Sequence, residues 1–275
     1  AALPRMPPVR SLPRLLLWQL AAGGTLPPFD EKDLTPMHRI GHMQVLPLLS
    51  GAQRSMLGIF DHLDRARYEP HVVLGGEGPL TDELRRRDID YHVVPNLVRQ
   101  VHPFRDALAF RNLRRLFDRC RFDLVHTHSS KPGFLGRIAA RQSGVPRIVH
   151  HVRGFAFHEF SSLPARFTYS RLERWAGRHC DRVIFVNQEE RNWATQHRIM
   201  TCEKCLRMYD GKDVAAFSRD RHRTRRDRIR AELGADADES LILVAGRIDR
   251  QKQSLILHAI AQQLERRCAG RRWRI

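Results

Sequence analysis

The chain is short of lysine: only five of its 48 basic residues are lysine, so arginine carries most of the formal net charge of +18. Arginine makes planar, bidentate contacts with phosphate and carboxylate groups, so this charge favours an anionic partner such as a nucleotide or an acidic membrane. No recognised nucleic-acid-binding motif and no basic stripe interleaved with aromatic residues is present, which argues against nucleic acid. The alternative is that most of these arginines are simply solvated and reflect coding bias.

Cysteine is also scarce, and its five positions are odd in number and irregularly spaced. This pattern argues against a disulfide scaffold and favours a reducing compartment. Cys202 and Cys205 form a lone C-x-x-C pair that only His179 and Cys180 could complete, whereas a zinc site needs about four ligands. The sequence therefore predicts no metal site.

No apolar run is long enough to cross a bilayer, which takes about 20 residues. The short apolar stretch 15–18 does not favour a signal peptide, because Arg14 and Gln19 crowd it and no clean cleavage site follows. We interpret residues 1–36 as a leader that is disordered or non-native, and expect the fold to begin at Met37. The apolar fraction of 42% is typical of a globular protein.

From residue 43 onward, strand and helix patterns alternate, which predicts an α/β fold with a doubly wound parallel sheet of about six or seven strands. The predicted strands are 43–49, 71–74, 91–94, 124–126, 147–152, 182–186 and 240–245. The predicted helices are 53–63, 80–87, 103–119, 134–142, 164–180, 189–197, one that ends near Leu233, and 255–266. The chain ends in what is predicted as the start of another strand near Trp273.

A domain boundary is predicted near residue 215. Residues 37–215 should form the first domain, and residues 216–275 the start of a second one. Between them, the segment 219–230 carries seven arginines in twelve residues. The simplest interpretation is a solvated helix face; the alternative is contact with acidic lipid headgroups.

The segment 122–133 is the most informative part of the chain. An apolar strand runs directly into a polar turn, H-S-S-K-P-G, and then into a helix. In an open α/β sheet, ligands gather at the carboxyl ends of strands, and free N–H groups at a helix N-terminus favour anions. An ordinary strand–helix turn is the alternative.

These segments, taken in order, resemble the retaining glycosyltransferases of family 4, which have the two-domain GT-B fold. The resemblance is strongest to the branch that builds bacterial capsular, exopolysaccharide and lipopolysaccharide sugars. The strings H-T-H-S-S-K-P-G and V-R-G-F-A-F-H are its most specific parts. The segments that carry it are 45–54, 126–133, 147–158, 181–187 and 244–252.

The resemblance implies a Rossmann-like N-terminal domain on the acceptor side, followed by the first β–α unit of a Rossmann-like, donor-binding domain. It implies transfer of a sugar from a nucleotide-diphosphate donor to a glycan or undecaprenyl-linked acceptor in cell-surface polysaccharide synthesis. It also implies metal-independent chemistry without a cofactor, in the cytoplasm, with peripheral contact to the anionic inner face of the plasma membrane. A non-catalytic phosphate- or nucleic-acid-binding α/β protein is the alternative.

Site residues follow from the same resemblance. Gly51, Arg247 and Lys252 are predicted to bind the donor diphosphate, because a glycine lets backbone N–H groups approach phosphate and fixed cations stabilise the leaving group. The predicted catalytic residues are Arg153 and His128. The predicted acceptor or sugar contacts are Ser129, Lys131, His151 and His158.

The chain departs from the family pattern at three places. Arg153 stands where many relatives have a histidine that reaches the donor sugar, and Ser50 stands where many have a glycine. The segment 209–213 replaces the usual P-N-G-x-D hinge. The family's E-x7-E motif is expected beyond residue 275, so the 275-residue chain is expected to be inactive alone.

Overall fold

The computed structural model describes residues 37–155, 162–211, 214, 219–236, 238–246, 255–268, 270 and 272–274. The chain divides into two compact units, of which the first ends at Gly211 and the second comprises the residues after it. The leader predicted for residues 1–36 lies outside the described residues, and so do His158, Arg247 and Lys252.

The first unit is a parallel sheet with helices between successive strands. In the described part of the chain the sheet has seven strands, in the order β3-β2-β1-β4-β5-β6-β7. The strands are β1 His38–Met43, β2 Tyr68–Leu74, β3 Asp90–Val93, β4 Leu124–His128, β5 Arg147–Val152, β6 Arg182–Phe185 and β7 Cys205–Arg207. The helices are α1 Gly51–Phe60, α2 Pro79–Arg86, α3 Pro103–Cys120, α4 Ser130–Gln142, α5 Leu163–Gly177 and α6 Gln188–Gln196.

Every neighbouring pair of strands is parallel. The winding direction reverses between β1 and β4, which lie side by side although two strands separate them in the chain. Open α/β sheets bind ligands outside the carboxyl ends of their strands at such a switch point. The topology therefore predicts a ligand-binding site at the carboxyl ends of β1, β4 and β5.

Two apolar cores cover the two faces of the sheet. Successive strand residues point to opposite faces, so Val72 and Leu74 pack with α1 and α2, whereas Val73 joins the core beneath α3 and α4. Helix α4 approaches the sheet closely, since a Cβ on Gly136 would lie 2.4 Å from Met43 Sδ. A larger residue at this contact would require the side chains of Met43 and Thr127 to shift.

A buried ion pair joins α4 to α5. Arg137 is fully buried, and its Nη2 donates to Glu173 Oε2 at 2.7 Å. Its Nε donates to the carbonyl oxygen of Gly133 at 2.7 Å. The side chains of Arg137 and Glu173 thus join α5 to α4, the helix that begins within the polar turn of segment 122–133.

The α/β class and the parallel sheet predicted from the sequence are confirmed. The first strand, predicted at 43–49, is wrong: β1 is His38–Met43, and the apolar residues that follow form a loop whose Leu46 and Leu49 pack against the cores. Pro47 has no N–H to give to a sheet. Strand β7 was not predicted, and α4 begins at Ser130, four residues before the predicted start at 134.

The second unit contains α7 Arg219–Glu232, β8 Ser240–Leu241, α8 Ile256–Arg267 and β9 Trp273–Arg274. Strands β8 and β9 pair in parallel, which confirms the strand expected near Trp273. Leu255 and Ile256 are 93% and 52% exposed. No helix in the described ranges is both long and apolar enough to cross a membrane.

Candidate functional site

The candidate site lies at the carboxyl edge of the sheet, around the starts of helices α1, α4 and α6. Their N-cap residues are Ser50 for α1, Ser129 for α4 and Asn187 for α6. Asn187 accepts a hydrogen bond from the N–H of Glu190 at 2.7 Å, but neither serine hydroxyl caps its helix. The N-termini of α1 and α4 therefore keep backbone N–H groups that favour an anion.

The start of α1 is open on the side of its first residue. Gly51 is exposed, and a Cβ placed there would meet no atom within 4 Å. Ser50 occupies the cap position of α1, but its Oγ donates to Gln53 Oε1 and not to the helix backbone. Gln53 in turn donates to Gln44 Oε1 at 3.4 Å, which holds the loop between β1 and α1 in place.

Four histidines of the described chain meet on one sheet face below this edge. His42 on β1 pairs in register with His126 on β4, and His128 pairs with His151 on β5. The ring centroids of His126 and His128 are 4.2 Å apart, and those of His128 and His151 are 5.5 Å apart. We call these four residues the imidazole cluster.

The imidazole cluster is buried and uncharged. Burial lowers the pKa of His42 to about 3, and His151 adds to the effect. Burial, then the charge of Arg153, lowers the pKa of His151 to about 3. Burial also holds the pKa values of His126 and His128 well below the usual range. At neutral pH His128, a predicted catalytic residue, is a neutral ring that can donate or accept a proton but carries no charge.

Arg153, the other predicted catalytic residue, is held in an ion pair. Its Nη1 contacts both carboxylate oxygens of Asp210, at 2.6 and 2.7 Å, and its Nη2 donates to Ser55 Oγ at 2.9 Å. Ser55 donates to Asp210 Oδ1 at 2.5 Å. Partial burial opposes ionisation of Asp210, but the hydrogen bonds from Ser55 and Arg153 lower its pKa below the usual range.

This triad ties together the end of β5, the middle of α1 and the segment after β7. Ser55 and Asp210 were not among the site residues predicted from the sequence. Asp210 lies in segment 209–213, which aligns with the family's hinge motif, and that position was the one indication in the sequence of a role at the site. For Ser55 there was none, because its partners lie 98 and 155 residues away in the chain.

The remaining predicted contacts divide into two groups. Ser129 lies at the edge with φ of 63°, a left-handed conformation that is strained for a residue other than glycine, and its N–H donates to the carbonyl oxygen of His151 at 3.2 Å. Lys131 points away toward α3: its Nζ lies 2.6 Å from Asp106 Oδ1 and also donates to the carbonyl oxygen of Gln100. The structure therefore brings Ser129, His128, His151 and Arg153 together, but not Lys131.

The sequence profile of Glycosyltransferase Family 4 matches residues 49–214. A UDP-Gal:alpha-D-GlcNAc-diphosphoundecaprenol alpha-1,3-galactosyltransferase from Escherichia coli is 32% identical over 226 residues, which cover 82% of this chain and 58% of the relative. The putative glycosyltransferase EpsD of Bacillus subtilis is 29% identical over 143 residues, which cover 49% of this chain and 34% of the relative.

Two solved structures share the fold. Anabaena HepE in complex with UDP and glucose aligns with a TM-score of 0.62 at 20% identity, covering 82% of this chain and 58% of HepE. Sucrose-phosphate synthase from Thermosynechococcus elongatus aligns with a TM-score of 0.63 at 16% identity, covering 82% of this chain and 60% of the synthase. The chain thus spans less than two thirds of the length of each of these proteins.

Proposed function

The chain belongs to glycosyltransferase family 4, and we propose that the protein transfers a sugar from a nucleotide-diphosphate donor to a lipid-linked glycan with retention of anomeric configuration. The observation that carries this proposal is the family match over residues 49–214, which includes the open N-terminus of α1 and the polar start of α4. The E. coli relative, a galactosyltransferase named for UDP-Gal and an alpha-D-GlcNAc-diphosphoundecaprenol acceptor, supports a UDP-sugar donor and a polyprenyl-diphosphate acceptor.

We place the diphosphate at the N-terminus of α1. The positive end of the helix dipole and the N–H groups beside Gly51 would bind phosphate oxygens without a metal ion. Arg247 and Lys252 would counter the charge that the leaving diphosphate gains in the transition state. Arg153, His128, Ser129, Lys131, His151 and His158 stay the predicted sugar and acceptor contacts.

The role of Gly51 can be tested with two variants of the same position, in a protein that covers the full length of the E. coli relative. Gly51→Ala should keep kcat/KM within about threefold, because the added Cβ meets no atom within 4 Å. Gly51→Asp should lower kcat/KM for the UDP-sugar by at least about tenfold, because its carboxylate repels the diphosphate. Unchanged kcat/KM in the aspartate variant would place the diphosphate elsewhere.

The role of the basic pair is tested by single alanine variants of Arg247 and Lys252. Each should lose roughly 2–4 kcal/mol of transition-state stabilisation, as does removal of one preorganised donor elsewhere. Arg250→Ala, in the same segment, is the matched control and should keep its activity. The measurement is transfer from a UDP-sugar to a polyprenyl-diphosphate-linked GlcNAc acceptor, made with a protein that covers the full length of the E. coli relative, because the 275-residue chain is expected to be inactive alone.

A lipid-linked acceptor requires access to a membrane, and the first unit offers a suitable surface. Helices α3, α4 and α5 pack side by side on one sheet face and begin at its carboxyl edge. Near these helix starts, Phe104 is 81% exposed, Leu163 76% and Phe167 64%. Exposed arginines accompany them, and Arg171 lies 5.4 Å from the ring of Phe167.

We propose that this apolar and basic surface contacts the anionic inner face of the plasma membrane, because apolar side chains insert at the headgroup boundary while arginines attract acidic lipids. The double variant Phe104→Ser and Phe167→Ser should bind vesicles of phosphatidylglycerol more weakly than the parent chain does. Tyr209→Ser, at a residue 66% exposed in the same unit, is the matched control. Equal binding by all three proteins would contradict the membrane contact.

A further inference from the structure

The imidazole cluster has nitrogen atoms that lack partners. Nδ1 of His42, Nε2 of His126 and both ring nitrogens of His128 are buried and find no hydrogen-bond partner among the described residues. The same holds for both nitrogens of His151. Buried polar atoms are nearly always paired, and leaving one unpaired is costly. So many unpaired ring nitrogens in one place indicate a group that they bind.

The geometry of the cluster suits a metal ion. His42, His126 and His128 each offer one ring nitrogen, and these three nitrogens all lie within 4.8 Å of one another. Around a tetrahedral zinc ion with nitrogen ligands about 2.0 Å away, ligand atoms are about 3.3 Å apart. Small rotations of the rings would close this difference, and the strand register keeps all three on one face.

The chemistry of the cluster selects the class of metal. Its ligands are neutral imidazoles, which bind zinc, copper, nickel and cobalt. No carboxylate belongs to the group of three, whereas magnesium and calcium prefer oxygen ligands. His151 stacks against His126, with ring centroids 5.7 Å apart, and is close enough to serve as a fourth ligand after a rotation.

A second group of candidate ligands on the same sheet makes an informative contrast. Glu69, His71 and Asp90 also lie close together, but Asp90 is exposed and His71 already contacts both carboxylates, at 3.4 and 3.8 Å. His71 is buried and its ring nitrogens form no hydrogen bond with any described residue, but each of them has a carboxylate of the group as an acidic partner. The imidazole cluster has no such internal partners.

From these observations we infer that His42, His126 and His128, with His151 as a fourth ligand, form a binding site for a divalent transition-metal ion of the zinc class, which holds the carboxyl ends of β1, β4 and β5 together. This site goes beyond the proposed sugar transfer and does not depend on it. Where the ion is bound, His128 and His151 are its ligands, and the sugar and acceptor contacts fall to the other predicted residues. It also departs from the prediction, drawn from the cysteine pattern, that the chain has no metal site.

The test is a titration of the untagged, chelator-treated 275-residue chain with Co²⁺, followed by visible absorption. We expect one equivalent to give the intense bands of tetrahedral nitrogen coordination, and Zn²⁺ to displace the cobalt and raise the melting temperature. Mg²⁺ should do neither. Absence of the bands in the parent chain would overturn the inference without any need for a variant.

Variants then locate the site. His42→Gln and His126→Gln should each weaken Co²⁺ binding by about 100-fold or more, because each removes a direct ligand. Two matched controls should bind like the parent. His150→Gln alters a buried histidine on the opposite face, bonded to Thr127 at 2.9 Å, and His71→Gln alters the second group of candidate ligands. Equal loss in the controls, or undiminished binding by His42→Gln and His126→Gln, would overturn the assignment.

Discussion

The two units place the same kinds of charged residue in opposite environments. In the first unit the side chains of Arg137 and Arg153 are 0% and 8% exposed, and each pairs with a carboxylate. In the second unit Arg226 and Arg228 are 65% and 80% exposed, although each also lies near an acidic side chain. Breaking a buried pair leaves a charge without solvent or partner, whereas water screens an exposed one. The burial of each arginine, and not the number of arginines, therefore decides how much the loss of its ion pair should destabilise the fold.

The largest effect on stability should come from the buried pair between α4 and α5. Glu173→Gln leaves the fully buried Arg137 without its carboxylate, so the free energy of unfolding should fall by about 3–5 kcal/mol. Urea unfolding measured by tryptophan fluorescence checks this value. The double variant Arg137→Met and Glu173→Met removes both charges and should recover most of the loss. If the free energy of unfolding of the single variant fell by less than about 1 kcal/mol, the guanidinium group of Arg137 would have to be solvated.

Acid should destabilise the first unit through the imidazole cluster. His42 and His151 have a pKa of about 3 in the folded chain and the ordinary value of 6.5 when unfolded. Between these values the unfolded chain binds more protons, so stability is complete above pH 6.5 and falls as the pH drops.

At pH 5.5 the two rings together should cost about 3 kcal/mol relative to pH 8, at about 1.4 kcal/mol each. Urea unfolding at several pH values in the presence of a chelator gives this slope. His126, His128 and His150, whose pKa values are also lowered, add to the same slope. His42→Phe removes one of these groups and should reduce the loss between pH 8 and pH 5.5 by about 1.4 kcal/mol. His258→Gln, on an exposed helix surface of the second unit, is the control. An unchanged slope in His42→Phe would mean that this ring is protonated in the folded chain.

A smaller effect is expected at the triad of Ser55, Arg153 and Asp210, because the carboxylate of Asp210 is about one third exposed. Asp210→Asn should lower the free energy of unfolding by about 1–3 kcal/mol, because it removes the charge-assisted bonds to Arg153. Asp210→Glu keeps the charge and should restore part of the loss. Thermal unfolding of the three proteins should give the highest melting temperature for the parent, a lower one for Asp210→Glu and the lowest for Asp210→Asn. A reversed order would assign the stability to hydrogen bonds from Ser55 alone.

The sequence predicts those parts of the first unit that depend on local pattern. Strand 147–152 matches the structure at both ends, because its apolar residues are buried within the sheet and a Gly-Val-Pro turn precedes it. The position of strand β1 was predicted wrongly because its sequence, H-R-I-G-H-M, is largely polar. Its burial comes from neighbours: a Cβ on Gly41 would lie 2.9 Å from the ring of Phe122, far away in the chain.

The site is less predictable than the sheet, because it depends on strand register and long-range contacts. His128 and His151 could be identified from their motifs, but His42 could not, since only its pairing with His126 brings it to the cluster. Likewise Arg153 was identified, but its partner Asp210 is 57 residues away. A single sequence shows which side chains can do chemistry; it does not show which of them another residue already holds.

The smallest effect should come from the exposed arginines of the second unit. In α7, Arg228 contacts Glu232 at 2.8 Å with an i,i+4 spacing, but arginine precedes glutamate, which is the less favourable orientation along a helix. The double variant Arg226→Gln and Arg228→Gln should therefore change the free energy of unfolding by less than about 0.5 kcal/mol. Glutamine keeps a similar helix propensity, so far-UV circular dichroism should show an unchanged helix content and the same melting curve. Arg137→Gln, made in parallel, replaces the same residue type by the same amide in the buried environment and should unfold far more easily. If the exposed double variant lost as much free energy of unfolding as Arg137→Gln, the contrast between the two units would be wrong. The exposed arginines of α7 would then stabilise the protein as strongly as the buried one does.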